Sequence, residues 1–297
     1  MRILLLGGAG QVGEEFRALA RPEHVEVVAP SRSGLDLQDA DAIAREIAAG
    51  PWSGVINAAA YTQVDRAESE AAVAFAVNAE APSRLALETG RRGIPLVHIS
   101  TDYVFDGTKG APYVEQDQAA PLNVYGRSKL AGEHAVRAAN PRHVILRTSW
   151  VYSPYRTNFV KLILRLAAER DRLDVVADQR GCPTAARDIA KACLDLALRC
   201  AAEPERAPYG IYHFAGAGEA SRFELAGTIV DMSAGRRDRS PQVVPIRTSE
   251  RPTPAARPLD GRLDCTAIVR AFGIVARPWR EALAETIDRL LASKDFS

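Results

Sequence analysis

Apolar positions along the first two thirds of the chain fall in short unbroken runs: Ile3–Leu6, Val25–Ala29, Gly54–Asn57, Leu96–Ile99 and Val144–Arg147. Their aliphatic and β-branched content predicts strands. Between them, Gln11–Leu19, Asp39–Ala49, Glu70–Gly90 and Val124–Ala139 carry helical period or helix-forming composition. Strands that are apolar throughout, rather than alternating, are buried on both faces. The expected fold class is therefore α/β, with a doubly wound parallel sheet of Rossmann type. The alternation weakens towards the C-terminus, where prolines and arginines cluster between Ser240 and Pro258. This predicts a dinucleotide-binding domain over 1–150, to which the chain returns after about residue 175. A smaller C-terminal substrate-binding lobe is expected within 151–297, discontinuous and with soft boundaries.

Composition narrows the partners more than the fold. The 297 residues are 47% apolar, and 38 basic against 37 acidic residues leave a formal charge of +1. A near-neutral chain gives no electrostatic reason to bind nucleic acid or an anionic membrane. The densest basic stretch, Arg236-Arg237-Asp238-Arg239, reads as a solvated loop. Cys182, Cys193, Cys200 and Cys265 form no CxxC pair and no zinc-ligand spacing, which fits reduced thiols in a cytoplasmic protein. The apolar Ile3–Leu6 run is too short for a signal-peptide core or a membrane span and reads as a buried first strand.

Candidate chemistry begins where the first strand ends. Gly7, Gly10 and Gly13 form GxxGxxG between that strand and a helix, the arrangement that lets backbone approach a pyrophosphate at a helix N-terminus. Such a glycine triplet alone also suits a structural turn. The acid that would hold an adenine ribose 2′-hydroxyl at the end of the second strand is absent: the chain reads Val28-Ala29-Pro30-Ser31-Arg32. Ser31 and Arg32 suit a 2′-phosphate, which favours NADPH over NADH. Arg32 as a solvated loop residue is the competing reading, and Asp36 could instead approach the adenine.

Further along, Tyr125-Gly-Arg-Ser-Lys129 is YxxxK, and positions i and i+4 share a helix face. A free phenol has a pKa of about 10, and a nearby ammonium favours its ionised form. Tyr125 can then protonate a carbonyl oxygen as hydride arrives. Upstream, the run through Val97 and His98 ends in Ser100-Thr101-Asp102, placing small hydroxyls where strand ends meet the ligand crevice. Thr101 there could hydrogen-bond both the substrate carbonyl and the phenol; alternatively the hydroxyls only terminate the strand. Asn57-Ala58-Ala59-Ala60-Tyr61-Thr62 offers small residues for backbone to lie against a cofactor. His98 is expected to be a buried, satisfied core histidine.

In order, GGAGQVG, VINAAAYTQVDRAESE, VHISTDYVFDGT, PLNVYGRSKLAGE, RTSWVY, NFVKLILRLA and DQRGCPT closely resemble the dTDP-4-dehydrorhamnose reductases, within the extended short-chain dehydrogenase/reductases. The resemblance runs over nearly the whole chain. It implies reduction of dTDP-4-dehydro-6-deoxy-L-mannose to dTDP-L-rhamnose, the last step of dTDP-rhamnose synthesis. It assigns Thr101, Tyr125 and Lys129 as the catalytic triad. Gly10, Gln11 and Val12 would lie on the cofactor, Asp36 and Leu37 near adenosine, and Ala60, Tyr61 and Thr62 along the ribose and nicotinamide. Thr101, Asp102 and Trp150 would touch the sugar nucleotide, with Asn158 and Arg257 as weaker diphosphate candidates. Some relatives bind magnesium through glutamates at a dimer interface. Here Glu15 alone matches and Arg187 stands at a second position, which argues against magnesium-dependent dimerisation and leaves monomer or homodimer open. The nucleotide-sugar dehydratases place an Asp-Glu pair after the threonine, whereas Asp102 is followed by Tyr103. A same-fold epimerase, or a non-catalytic regulatory subunit like the methionine adenosyltransferase beta subunit, remains as an alternative.

Overall fold

The computed structural model describes residues 1–236 and 240–293. The strands are β1 (Arg2–Leu6), β2 (Glu26–Val28), β3 (Gly54–Asn57), β4 (Leu96–Thr101), β5 (His143–Thr148), β6 (Val151–Tyr152), β7 (Arg172–Val176), β8 (Arg180–Gly181), β9 (Thr184–Ala185), β10 (Gly210–His213), β11 (Ala220–Ser221) and β12 (Gln242–Ile246). The α-helices are α1 (Gln11–Ala18), α2 (Ala40–Ala49), α3 (Val64–Ala67), α4 (Ala71–Phe75), α5 (Ala81–Arg91), α6 (Val124–Ala139), α7 (Phe159–Glu169), α8 (Ala186–Ala202), α9 (Arg222–Ser233), α10 (Thr266–Phe272) and α11 (Trp279–Leu291).

Six strands form one parallel sheet in the order β2-β1-β3-β4-β5-β10. The unbroken apolar runs are explained by what each strand buries. Ile3 and Leu5 of β1 point into a core shared with α1 and α8, while Leu4 and Leu6 point into the opposite core against α2 and α5. Val144 and Leu146 of β5 join the first core and Ile145 the second. Successive side chains leave opposite faces of a strand, so a strand covered on both faces must be apolar at every position. From β1 the chain goes out to β2 and then returns to β3 on the other side of β1. That reversal opens a crevice beyond the carboxyl ends of β1 and β3.

A third core lies apart from the sheet, built by α7, α9 and α11 with β7, among them Val160, Ile163, Leu164, Leu173, Ile229, Leu283 and Ile287. Two small parallel pairs, β6–β9 and β7–β12, and the antiparallel β8–β11 pair belong to this part. The edge strand β10 was not foreseen. Its two half-exposed isoleucine and tyrosine positions carry less apolar signal than the central strands.

The helix expected over Glu70–Gly90 is interrupted. Ala76–Glu80 between α4 and α5 is a π-helical turn. Pro82 has no N–H to give the carbonyl four residues back, Asn78, so the α-helical ladder cannot run through. Residues 237–239 of the basic stretch lie outside the described residues; Arg236 pairs with Asp288 at 2.6 Å. The four cysteines are unpaired, three of them buried. Among the described residues no helix is long and apolar enough to cross a membrane.

Candidate active site

The crevice is a cleft of about 930 Å³. It runs from the glycine turn, past the ends of β3 and β4, to α6 and the first turns of α7 and α9. At its first end the backbone itself makes the surface. Gly7 has φ +84°, and a Cβ there would sit 2.6 Å from the Ala59 nitrogen. A Cβ on Gly13 would lie 2.3 Å from the Gly7 carbonyl oxygen. The turn therefore closes on α1 only with glycine at both positions. Helix α1 begins after Gly10 with no side-chain cap, which leaves its first N–H groups and its positive dipole end to a ligand. Gly7, Gly10, Gln11 and Val12 line the cleft; Gly13 lies behind, as the packing contact. This cradle fits a dinucleotide pyrophosphate.

Arg32, Asp36 and Leu37 also line the cleft. Ser31 does not. Its hydroxyl is hydrogen-bonded with that of Ser33 at 2.9 Å and accepts from the Gly34 N–H, so it shapes the loop. Ala60, Tyr61 and Thr62 follow the end of β3 along the wall. Their loop is held by Asn78, whose Oδ1 accepts from the Tyr61 N–H at 2.8 Å while Nδ2 donates to the Tyr61 carbonyl and to Ser128 Oγ, both at 3.0 Å. The π turn thus ties the cofactor wall to α6. Sequence reading missed Asn78, although a lone asparagine among alanines just before a proline was a usable signal.

Thr101, Tyr125 and Lys129 meet where β4 ends against α6. Asn123 caps α6 by accepting from the Gly126 N–H at 2.8 Å. A Cβ on Gly126 would lie 2.2 Å from the Tyr103 carbonyl oxygen, so this glycine lets the helix press against the strand end. All three chemical residues are buried. Burial pushes the Tyr125 phenol well above its ordinary value, with the Thr101 hydroxyl the chief group opposing the rise. The Lys129 ammonium donates to the Ile99 carbonyl at 2.7 Å, and burial brings its pKa down to about 8. Desolvation dominates the phenol in this arrangement, and the Lys129 ammonium is turned to β4.

Beneath these groups lies a buried ion pair that sequence reading also missed. Arg147 donates to both oxygens of Glu133 at 2.9 and 2.7 Å, and Ser100 Oγ donates to the same carboxylate. His98 behaves only half as expected. Its Nδ1 pairs with Asn57 Nδ2 at 3.1 Å, but Nε2 has no partner among the described residues, and burial holds the ring neutral.

On the far wall, Asp102 is fully enclosed. It accepts from Thr101 Oγ1 and Ser149 Oγ, both at 3.0 Å, and burial raises its pKa to about 6. Trp150 lines the cleft with a left-handed backbone, φ +47°, unusual for a bulky residue. The guanidinium of Arg222 lies 3.6 Å from the centre of its ring. Asn158 caps α7 and donates from Nδ2 to Gln11 Oε1 at 3.0 Å, linking the two ends of the cleft. Arg257 does not reach the lining. It is clamped on Asp65 at 3.1 and 2.8 Å and hydrogen-bonds the Tyr103 side chain. Arg222 escaped sequence reading because an arginine just after a helix-capping serine looks like any surface residue.

The carboxylate of Glu15 accepts from Arg289 at 2.8 and 3.1 Å, and Arg187 lies beside Glu285. Among the described residues no cluster of three or more His, Cys, Asp or Glu could hold a metal.

A glycine cradle at one end and a buried phenol, ammonium and hydroxyl at the other, along the strand ends of one parallel sheet, define a nicotinamide-dependent oxidoreductase. The comparisons with known proteins are specific. The family model described as RmlD substrate binding domain matches residues 1–292. A dTDP-4-dehydrorhamnose reductase of Sinorhizobium fredii is 45% identical over 291 residues, covering 98% of each chain. The crystal structure of such a reductase from Clostridium acetobutylicum superposes with TM-score 0.90 at 36% identity, over 98% of this chain and 99% of that one. One from Bacillus anthracis, solved in complex with NADP, gives TM-score 0.89 at 33% identity, over 97% and 99%. The chain belongs to the dTDP-4-dehydrorhamnose reductase family.

Proposed function

We propose that this cleft reduces the C4 ketone of dTDP-4-dehydro-6-deoxy-L-mannose to give dTDP-L-rhamnose, with the sheet elements holding the cofactor and the C-terminal elements holding the sugar nucleotide. The observation that carries this reading is the meeting of Thr101, Tyr125 and Lys129 at the end of β4, inside a cleft whose other end is a pyrophosphate cradle. When bound, the dihydronicotinamide supplies the hydride. Thr101, whose hydroxyl otherwise donates to Asp102, turns to donate to the carbonyl oxygen and polarises it. Tyr125, kept protonated by burial, passes its proton to that oxygen as it becomes an alkoxide, a far stronger base than phenolate. Lys129, one helical turn away, steadies the phenolate by its charge and serves the nicotinamide ribose. Tyr103 stands where a dehydratase would need a glutamate, which supports reduction over elimination.

Arg32 on the cleft wall, with no acid at the end of β2, supports NADPH over NADH. A lower KM for NADPH is the expected outcome, and a strong NADH preference would remove Arg32 from the reading. Tyr125→Phe tests the proton donor. The variant is expected to fold and to bind NADPH, with turnover lower by roughly 10²- to 10⁴-fold. Unchanged turnover would remove Tyr125 from that role.

A further inference from the structure

The cleft has a second cationic feature apart from the glycine cradle. Arg222 enters from the first turn of α9, on the opposite wall from the glycine cradle, and lines the cleft. Its guanidinium lies flat over Trp150, 3.6 Å from the ring centre, and 5.0 Å from that of Phe159. Stacking of this kind fixes the plane of the guanidinium and leaves its edge N–H groups for an in-plane acceptor. Behind Trp150, a Cβ on Gly181 would lie only 2.4 Å from the indole, so the ring is packed directly on the Gly181 backbone.

The charge on Arg222 is poorly compensated. Among the described residues it enters no ion pair; its side-chain hydrogen bond is with Tyr103, a neutral hydroxyl, and burial acts against its charged form. The nearest carboxylate, Asp102, gives its two oxygens to the hydroxyls of Thr101 and Ser149. Arg257, which also hydrogen-bonds the Tyr103 side chain, adds a like charge, although Asp65 already holds it. A buried cation is stable when an anion meets it. The partner missing from this corner is an anion with at least two oxygens in one plane, arriving with the substrate. The corner adjoins Tyr103, whose side chain meets Arg222 and whose ring centre is 5.5 Å from that of Tyr125, on the same side of the cleft as the reacting groups.

We propose that Arg222, held on Trp150, is the residue that takes the diphosphate of the nucleotide-linked sugar. This deepens the reductase reading and rests on it. It also changes the part expected of Trp150: the indole carries the guanidinium, and the guanidinium meets the ligand.

The test uses the full-length enzyme and dTDP as the probe. Arg222→Gln is expected to weaken dTDP binding at least tenfold by calorimetry, with thymidine and NADPH binding little altered. In the assay the loss falls mainly on KM for the dTDP-4-keto sugar, and Arg222→Lys recovers part of it. A folded Arg222→Gln enzyme with unaltered dTDP affinity overturns the assignment. Should that variant fail to fold, the wild type answers instead: dTDP, but not thymidine, is expected to shield Arg222 from phenylglyoxal, read by peptide mass. Absence of shielding overturns the assignment equally. A wild-type enzyme that does not reduce the dTDP-4-keto sugar would sink the reductase reading itself and Arg222 with it. Reduction with an indifferent Arg222 would sink only the latter.

Discussion

At the scale of single residues, desolvation sets the chemistry of the site more than pairing does. Tyr125 stays protonated because it is buried, Lys129 is brought to about 8 for the same reason, and Asp102 is raised from 3.8 to about 6. For Asp102 the consequence for stability has a definite sign. The folded state holds this proton more tightly than the unfolded chain. The stability it contributes is complete below about pH 4 and is lost as pH rises through about 6. Asp102→Asn has no such proton to lose. Its stability relative to wild type is expected to improve by up to about 3 kcal/mol between pH 4 and pH 7, read from denaturant melts at both values. A constant difference across that range would contradict the burial account. The sequence made Thr101, Tyr125 and Lys129 legible because spacing and strand ends announce them. It could not show which group would dominate the phenol, since burial is a property of the packed molecule. Arg222 and the Glu133–Arg147 pair were illegible for the same reason: their partners come from elsewhere in the chain.

At the scale of elements, the strand and helix periods were legible to within a residue or two through β1, β3, α2 and α6, where both faces of the sheet are filled. The π turn and β10 were not. Helical composition in Glu70–Gly90 masked the effect of Pro82, and β10 at the sheet edge lacks the apolar run of a central strand. The π turn is a working part, because it aims Asn78 at both the Tyr61 loop and Ser128. Asn78→Ala removes three hydrogen bonds, one of them fully buried, and leaves their partners unpaired. A loss of roughly 2–4 kcal/mol is expected, together with a raised KM for the cofactor as the Ala60–Thr62 wall loosens. A stability loss with the cofactor KM unchanged would make Asn78 a packing residue only.

At the scale of the whole molecule, the sheet with its two cores and the C-terminal core face each other across one cleft, and a few polar contacts join them. Asn158 reaches Gln11 from α7, and Arg289 reaches the buried Glu15 from α11. The second contact occupies the one acidic position that matched a magnesium-binding relative, so an intramolecular cation stands where a metal was in question. Arg289→Ala leaves Glu15 buried without its partner and is expected to lower the thermal midpoint by a few degrees, with Glu15→Gln recovering part of the loss. No recovery in the double variant would mean that the pair is incidental. The weakening strand–helix alternation was the sequence's sign of a change from a cofactor side to a substrate side. The contacts that join the sheet to the C-terminal elements left no such sign, because they join residues far apart in the chain.

The central claim is that hydride from the cofactor ends on C4 of a dTDP-linked sugar, with the cofactor released oxidised. The direct measurement is a reaction of the dTDP-4-keto sugar with NADPH deuterated at the transferring position, followed by NMR of the product. The account expects one NADP⁺ formed per dTDP-L-rhamnose, with deuterium at C4. Turnover without net cofactor oxidation, or product lacking the label at C4, would contradict it.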